Sequence, residues 1–202
     1  RWRGVWCWLR RWWRVWWRRW RLVRRWWHVG RRRGLGELVM RLLSHVFARS
    51  AQDLFPEDSL QRIADAIAAG ELRHRGEILF AVESELPVGA VLRGVQARAS
   101  AEAAFARLRA WDTEANNGVL IYLLLADHRI EIVADRGLNG RVSPEQWRGV
   151  CLLMEERMKA GEPEQAVVRG IEAVSDLLAK HFPQIDGKPD QDELPNRPHF
   201  LD

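Results

Sequence analysis

Residues 55–182 alternate between apolar patterns of helical period and short apolar runs of the strand type. The helical patterns repeat at intervals of three and four residues and end at glycine, proline or turn sequences. They predict four helices, over residues 56–70, 91–111, 144–160 and 163–182. The third begins with Ser143, Pro144 and Gln146, which form a capping box with proline at the first helical position.

The apolar runs predict three strands, over residues 77–83 (EILFAVE), 119–126 (VLIYLLLA) and 129–135 (RIEIVAD). Asp127 and His128 separate the last two runs and predict a tight hairpin connection. A right-handed crossover makes the first strand parallel to the second. The expected fold class is α/β, with a small mixed sheet (a parallel crossover plus one β-hairpin) packed with helices.

Four regions divide the chain by composition. Residues 1–39 are an Arg/Trp-rich segment, 40–54 an N-terminal helix or linker, 55–182 the α/β domain, and 183–202 a polar, proline-rich tail. The first region holds thirteen arginines, ten of the twelve tryptophans and a single acid, Glu37, for a net charge of +12. Because the whole chain carries +5, residues 40–202 carry −7. The basic isoelectric point therefore does not indicate nucleic-acid binding by the domain.

Two interpretations of residues 1–39 are open. The tryptophan, leucine and valine residues of 2–27 fall mostly on one side of a helix, with arginines opposite, as in helices that lie on an anionic membrane surface. Arginine, tryptophan, glycine and valine also share G-rich codons, so the segment resembles translated upstream DNA with the true start at Met40. A membrane-surface partner is expected only under the first interpretation.

The cysteine count and the apolar runs bear on cellular location. Cys7 and Cys151 lie in different regions, so no disulfide framework is expected and reducing conditions are compatible. The longest uncharged run of the domain, residues 118–126, is too short to cross a bilayer. No signal-peptide pattern follows Met40. These features predict a cytoplasmic protein.

Oxygen-bearing side chains flank the predicted hairpin strands. If the connection is a two-residue turn, Leu120 lies opposite Asp135, and the loops at residues 112–118 (DTEANNG) and 135–141 meet at one end of the sheet. The crossover brings Glu77 to the same end. The candidate ligands are Glu77, Asp112, Glu114, Asn116, Asn117 and Asp135, with Asn139 nearby. Such oxygen donors suit Ca²⁺ or Mg²⁺.

Structural roles explain the same residues equally well. Asp112 and Thr113 are typical turn caps, and Asn116, Asn117 and Gly118 suit left-handed backbone. Asp135 has Arg136 and Arg141 close by in sequence as ion-pair partners. No nucleophile motif, phosphate-binding loop or histidine cluster with metal-ligand spacing accompanies the acids.

Three stretches together resemble the TPM domain, a family named from a thylakoid lumen protein, a photosystem repair protein and a receptor accessory protein. They are residues 75–78 (RGEI), 116–121 (NNGVLI) and 130–137 (IEIVADRG), and an acidic amphipathic helix pair follows them. The resemblance covers residues 56–182. It departs from common members at Asn139, where the family's glycine-rich loop ends in an acid.

The resemblance implies a compact α/β fold that binds divalent cations through acidic loops. It also implies either an accessory protein of membrane complexes or an acid phosphatase. We therefore expect a cation-binding, non-catalytic accessory or scaffold module whose partner is another protein, including one in a membrane complex. The alternative is a weak metal-assisted acid phosphatase, with Asp135 orienting water.

Overall fold

A computed structural model describes residues 35–184 and 194–201, where it contains seven α-helices and four strands. The helices are α1 Leu35–Val46, α2 Ala51–Leu54, α3 Glu57–Glu71, α4 Val88–Leu92, α5 Ala97–Arg107, α6 Pro144–Ala160 and α7 Pro163–His181. The strands are β1 Ile78–Glu83, β2 Val119–Leu124, β3 Arg129–Ala134 and β4 His199–Phe200. A 3-10 turn, Arg136–Leu138, follows β3.

The strands form one mixed sheet in the order β3-β2-β1-β4. β1 runs parallel to β2, and β3 pairs antiparallel with β2. The predicted α/β class, with its crossover and hairpin, is confirmed. The predicted capping box at Ser143 is also present, and α6 ends at Gly161 in the left-handed conformation.

The predicted hairpin register is wrong by two residues. Leu120 pairs with Val133, whereas the Asp135 N–H donates to the Gly118 carbonyl. The reason is a four-residue connection, residues 125–128, in which His128 adopts a positive φ of 51°. A shift of two residues preserves the strand alternation, so each side chain keeps its predicted face.

The C-terminal residues also differ from the prediction of a polar tail. Residues 199 and 200 form β4, which extends the sheet parallel to β1. Leu194 and Leu201 are buried, and the Leu201 N–H donates to the Val82 carbonyl at 3.0 Å. A two-residue strand among prolines and charged residues is too short to produce a recognisable apolar period.

The helix predicted over residues 91–111 is two helices, α4 and α5. Gly94, between them, has a φ of 76°, which interrupts a right-handed helix. The break lets α5 pack separately on β2 and β3. The helical region ends at Arg107, a few residues before the loop that carries the candidate ligands.

Helices cover both faces of the sheet, so there are two apolar cores. Alternate β1 residues Ile78, Phe80 and Val82 join the larger core, to which α3, α6 and α7 contribute. Leu79 and Ala81 join the smaller core with α4, α5 and the C-terminal leucines. Burial on both faces explains why β1 and β2 read as continuous apolar runs.

A partly buried polar network connects α1 to the hairpin. The Arg41 guanidinium donates to both carboxylate oxygens of Asp127, and His45 Nε2 lies 3.0 Å from Asp127 Oδ1. The Leu86 N–H donates to His45 Nδ1 at 2.9 Å, so His45 carries its proton on Nε2 and donates to Asp127. Burial alone would raise the pKa of Asp127, but the hydrogen bonds and charge of Arg41, together with His45, lower it. Sequence analysis assigned Asp127 only to a turn.

Candidate functional site

Three chain segments meet at the end of the sheet where β1 and β2 begin and β3 ends. The Val119 N–H donates to the Glu77 carbonyl at 2.8 Å, and the Asp135 N–H donates to the Gly118 carbonyl at 2.9 Å. Glu77, Gly118 and Asp135 therefore lie on neighbouring strand ends. The predicted meeting of the two loops at the Glu77 end is confirmed.

The two loops are bonded directly to each other. The Gly137 N–H donates to the Asn116 carbonyl at 2.8 Å, and Arg136 Nε donates to Asn116 Oδ1 at 2.7 Å. A Cβ at Gly137 would overlap the carbonyl oxygens of Asn116 and Ala115. Asn116 has a φ of 52°, so it serves the turn through its left-handed backbone as well.

Asn117 is 1% exposed, and its side chain is fixed by one hydrogen bond. Its Nδ2 donates to the Arg75 carbonyl at 2.5 Å, and its backbone N–H donates to Thr113 Oγ1 at 3.0 Å. Its Oδ1 is buried and has no hydrogen-bond partner within residues 35–184 and 194–201. Buried amide oxygens in proteins usually accept a hydrogen bond, so this oxygen is available to a ligand or to water.

Asp135 caps the 3-10 turn and shows the same feature. Its Oδ1 accepts from the Arg136 N–H at 2.7 Å. Its Oδ2 is buried and, within the described chain, accepts no hydrogen bond. Glu77, at the neighbouring strand end, is a carboxylate that is only 4% exposed. Glu77, Asn117 and one carboxylate oxygen of half-buried Asp135 are thus buried at this end of the sheet.

The remaining predicted ligands lie closer to solvent. Asp112 is paired with Arg109 at 2.8 Å, and its side chain is 49% exposed. Glu114 and Asn139 are exposed. The structure therefore buries Glu77 and Asn117, leaves Asp135 half-buried with its Oδ2 inside, and holds Asn116 through Arg136.

The donor set fits a hard divalent cation that other oxygens help to coordinate. Carboxylate and amide oxygens are the ligand types that Ca²⁺ and Mg²⁺ take. Across the described residues, however, no three His, Cys, Asp or Glu side chains form a metal-binding group on their own. A cation here would need the Asn117 amide, backbone carbonyls or water to complete its shell.

Backbone groups that the sequence did not predict also shape this site. The Arg75 carbonyl orients Asn117, and the Ala110 carbonyl lies against Gly118, where a Cβ would overlap it. Gly118 and Gly137 were the available signals, because a glycine beside polar loop residues indicates close backbone approach.

A thiol-based active site on α6 can be set aside. Cys151 lies inside the helix, where burial, together with the charges of Glu131 and Glu155, raises its thiol pKa to about 11. The thiol is therefore protonated and unreactive near neutral pH.

Comparison with known proteins now identifies the family. The model of the TPM domain matches residues 49–177. The chain belongs to the TPM domain family. The NMR structure of BA42 protein from the psychrophilic bacterium Bizionia argentinensis is similar to this TPM domain, with 30% identity and a TM-score of 0.66. The alignment covers 75% of this chain and 99% of BA42. No curated protein matches the sequence.

The family match includes all six candidate ligands and both loops that carry them. Within the described parts of this TPM domain, no helix combines the length and apolar character needed to cross a bilayer.

Proposed function

We propose that this TPM domain binds a divalent cation, Ca²⁺ or Mg²⁺, through Glu77, Asn117 and Asp135. The proposal rests on one observation: Asn117 and Asp135 each bury a side-chain oxygen that has no hydrogen-bond partner in the described residues, beside buried Glu77. Leaving such oxygens unsatisfied costs about 1–3 kcal/mol each, and a cation removes that cost.

A site of this composition binds weakly. Three protein side chains, each supplying one oxygen, leave at least half of the six to eight positions around Ca²⁺ to carbonyls and water. We therefore expect a dissociation constant on the order of 10⁻⁴ to 10⁻³ M, the weak end of the range that ligand charge and site rigidity set for Ca²⁺.

The role we propose is that of a non-catalytic accessory or scaffold module for another protein, including one in a membrane complex. The sequence supports this role, because no nucleophile motif or phosphate-binding loop accompanies the acids. The metal-assisted phosphatase is therefore the second choice.

Thermal unfolding of the chelator-treated full chain with added Ca²⁺ or Mg²⁺ tests the cation site. At 100 times its dissociation constant, the cation should stabilise the protein by about 2.7 kcal/mol. Asp135→Asn should remove most of this stabilisation. The matched control, Asp112→Asn, should retain it, because Asp112 is half exposed and paired with Arg109.

Two results would contradict the proposal. Equal cation stabilisation in wild type and Asp135→Asn would exclude the site. Metal-dependent hydrolysis of an aryl phosphate that Asp135→Asn abolishes would establish the phosphatase instead.

A further inference from the structure

An apolar groove of about 560 Å³ lies at the hairpin end of the sheet, away from the candidate cation site. Helix α1, β2, β3 and the last turn of α6 form its walls. Its apolar lining includes Met40, Leu43, Phe47, Leu123, Ile130 and Met158. We call this feature the α1 groove. Its volume matches that of pockets that bury a drug-sized ligand, so it can accept aromatic rings.

The rim of the α1 groove is unusually apolar for a protein surface. Of the eleven exposed large apolar side chains among the described residues, five belong to α1 or directly follow it. They are Val39, Met40, Leu43, Val46 and Phe47, of which Met40, Leu43 and Phe47 line the groove. Concentration of exposed apolar residues around one cavity indicates a surface that another group covers.

The chain itself carries a segment with matching chemistry immediately before α1. Residues 1–34 contain ten of the twelve tryptophans and no acid. The apolar residues of 2–27 repeat at helical spacing, which places an apolar stripe opposite the arginines. Residues 1–39 carry +12 and residues 40–202 carry −7, so charge also favours contact between the two.

The connection between segment and groove has a suitable length and composition. Residues 28–34 (HVGRRRG) separate the apolar stripe from α1 and contain two glycines, which permit a reversal of direction. The groove residues of α1 lie within the about 18 Å that its twelve residues span. Because the segment is tethered, its local concentration is in the millimolar range, and a weak interaction suffices.

We infer that residues 2–27 bind the α1 groove of the same chain, with tryptophan rings entering the cavity between α1 and the hairpin. This contact covers the exposed face of α1 and brings the arginines over the acidic domain. It does not depend on the cation site.

Tryptophan fluorescence of the full chain tests the contact, because ten of its twelve tryptophans belong to residues 1–34. Bound indoles emit at shorter wavelength and resist acrylamide quenching. The test variant is Phe47→Glu, and the matched control is Leu72→Glu. The two native side chains are equally exposed, at 78% and 79%. Neither change removes a buried group, and circular dichroism verifies the fold.

Phe47→Glu places a charge in the apolar contact, so we expect the ratio of bound to free segment to fall about tenfold, which corresponds to about 1.4 kcal/mol. Its emission should shift to longer wavelength, and quenching should increase. Leu72→Glu should match wild type. A loss of protection in Phe47→Glu but not in Leu72→Glu, observed with monomeric protein and without lipid, supports the inference.

Four results would overturn it. If acrylamide quenches the wild-type protein as strongly as the urea-unfolded chain, residues 2–27 do not bind the domain. Equal effects of the two variants would show that the contact lies elsewhere. Protection that disappears on dilution, with a dimer by light scattering, would assign the groove to a second copy. Protection that requires phosphatidylglycerol vesicles would assign the surface to membranes.

Discussion

Gly118 lies between the candidate ligands and the core, and its replacement by alanine tests how tightly the two are connected. Its carbonyl accepts the Asp135 N–H, and the next residue donates to the Glu77 carbonyl. An added Cβ would overlap the Ala110 carbonyl oxygen and meet Thr113 Cγ2 at 3.6 Å. The obstructing group is backbone, so no side-chain rotation can relieve the overlap.

The size of the overlap sets the expected cost. Cβ atoms in proteins essentially never approach other heavy atoms within 3.0 Å, so either the Ala110 carbonyl or the start of β2 must move by about 1 Å. Overpacking of a buried site costs about 1–3 kcal/mol. We expect the upper part of this range, because Ala110 is fully buried. In a protein of this size, 3 kcal/mol lowers the melting temperature by about 6–12 °C.

Thermal unfolding of Gly118→Ala should be measured beside Gly149→Ala. Gly149 lies in α6, and a Cβ there would meet nothing within 4 Å. Gly149→Ala should therefore stabilise the protein by about 0.5–1 kcal/mol through helix propensity. Gly118→Ala should also weaken the cation-dependent stabilisation, because the displaced strand end separates Glu77 from Asp135.

The reasoning fails if Gly118→Ala unfolds within about 0.5 kcal/mol of wild type, the usual range of neutral surface substitutions. That result would mean that residues 110–118 yield to the extra methyl group. The site would then be too compliant to hold its oxygens in place for a cation.

Two further predictions concern polar groups outside the proposed ligand set. Burial lowers the pKa of His74 from 6.5 to about 4. The His74 contribution to stability should therefore be constant above about pH 6.5 and fall by up to about 3 kcal/mol as the pH drops from 6.5 to 4, because only the unfolded chain binds the proton at this side chain there. Urea midpoints over this range should depend less on pH in His74→Gln. Asp127→Asn removes the charge that Arg41 and His45 contact, so it should cost about 1–3 kcal/mol in urea unfolding, whereas Asp112→Asn should change little.

The sequence was sufficient for those parts of the fold that depend on local patterns. β1 and β2 are recognisable because both of their faces are buried, and α6 because Ser143 and Gln146 cap it. The meeting of the two loops followed from connection rules alone. The hairpin register did not, because the sequence does not reveal that His128 adopts a left-handed conformation in a four-residue turn.

The candidate site was predictable as a location but not as a set of atoms. On sequence spacing alone, Asp112 and Asn117 were equally good candidates for cation ligands. Their environments differ because Asp112 forms an ion pair with Arg109 at the surface, whereas the buried Asn117 side chain donates a hydrogen bond to the Arg75 carbonyl. Arg75 precedes Asn117 by more than forty residues, so only the packing of β1 beside β2 creates that bond.

The bonds around the candidate site bear on how a small ligand set could hold a cation. Asn117 is fixed from both its backbone and its side chain, and Gly137 and Arg136 attach the second loop to Asn116. Such a site needs little ordering on binding, and reduced ordering cost strengthens a weak interaction. A cation bound as proposed would join the ends of β1, β2 and β3, while Asp112, Glu114 and Asn139 remain exposed around it. That arrangement favours a module that presents a stiffened polar surface to a partner over one that opens its metal to a substrate.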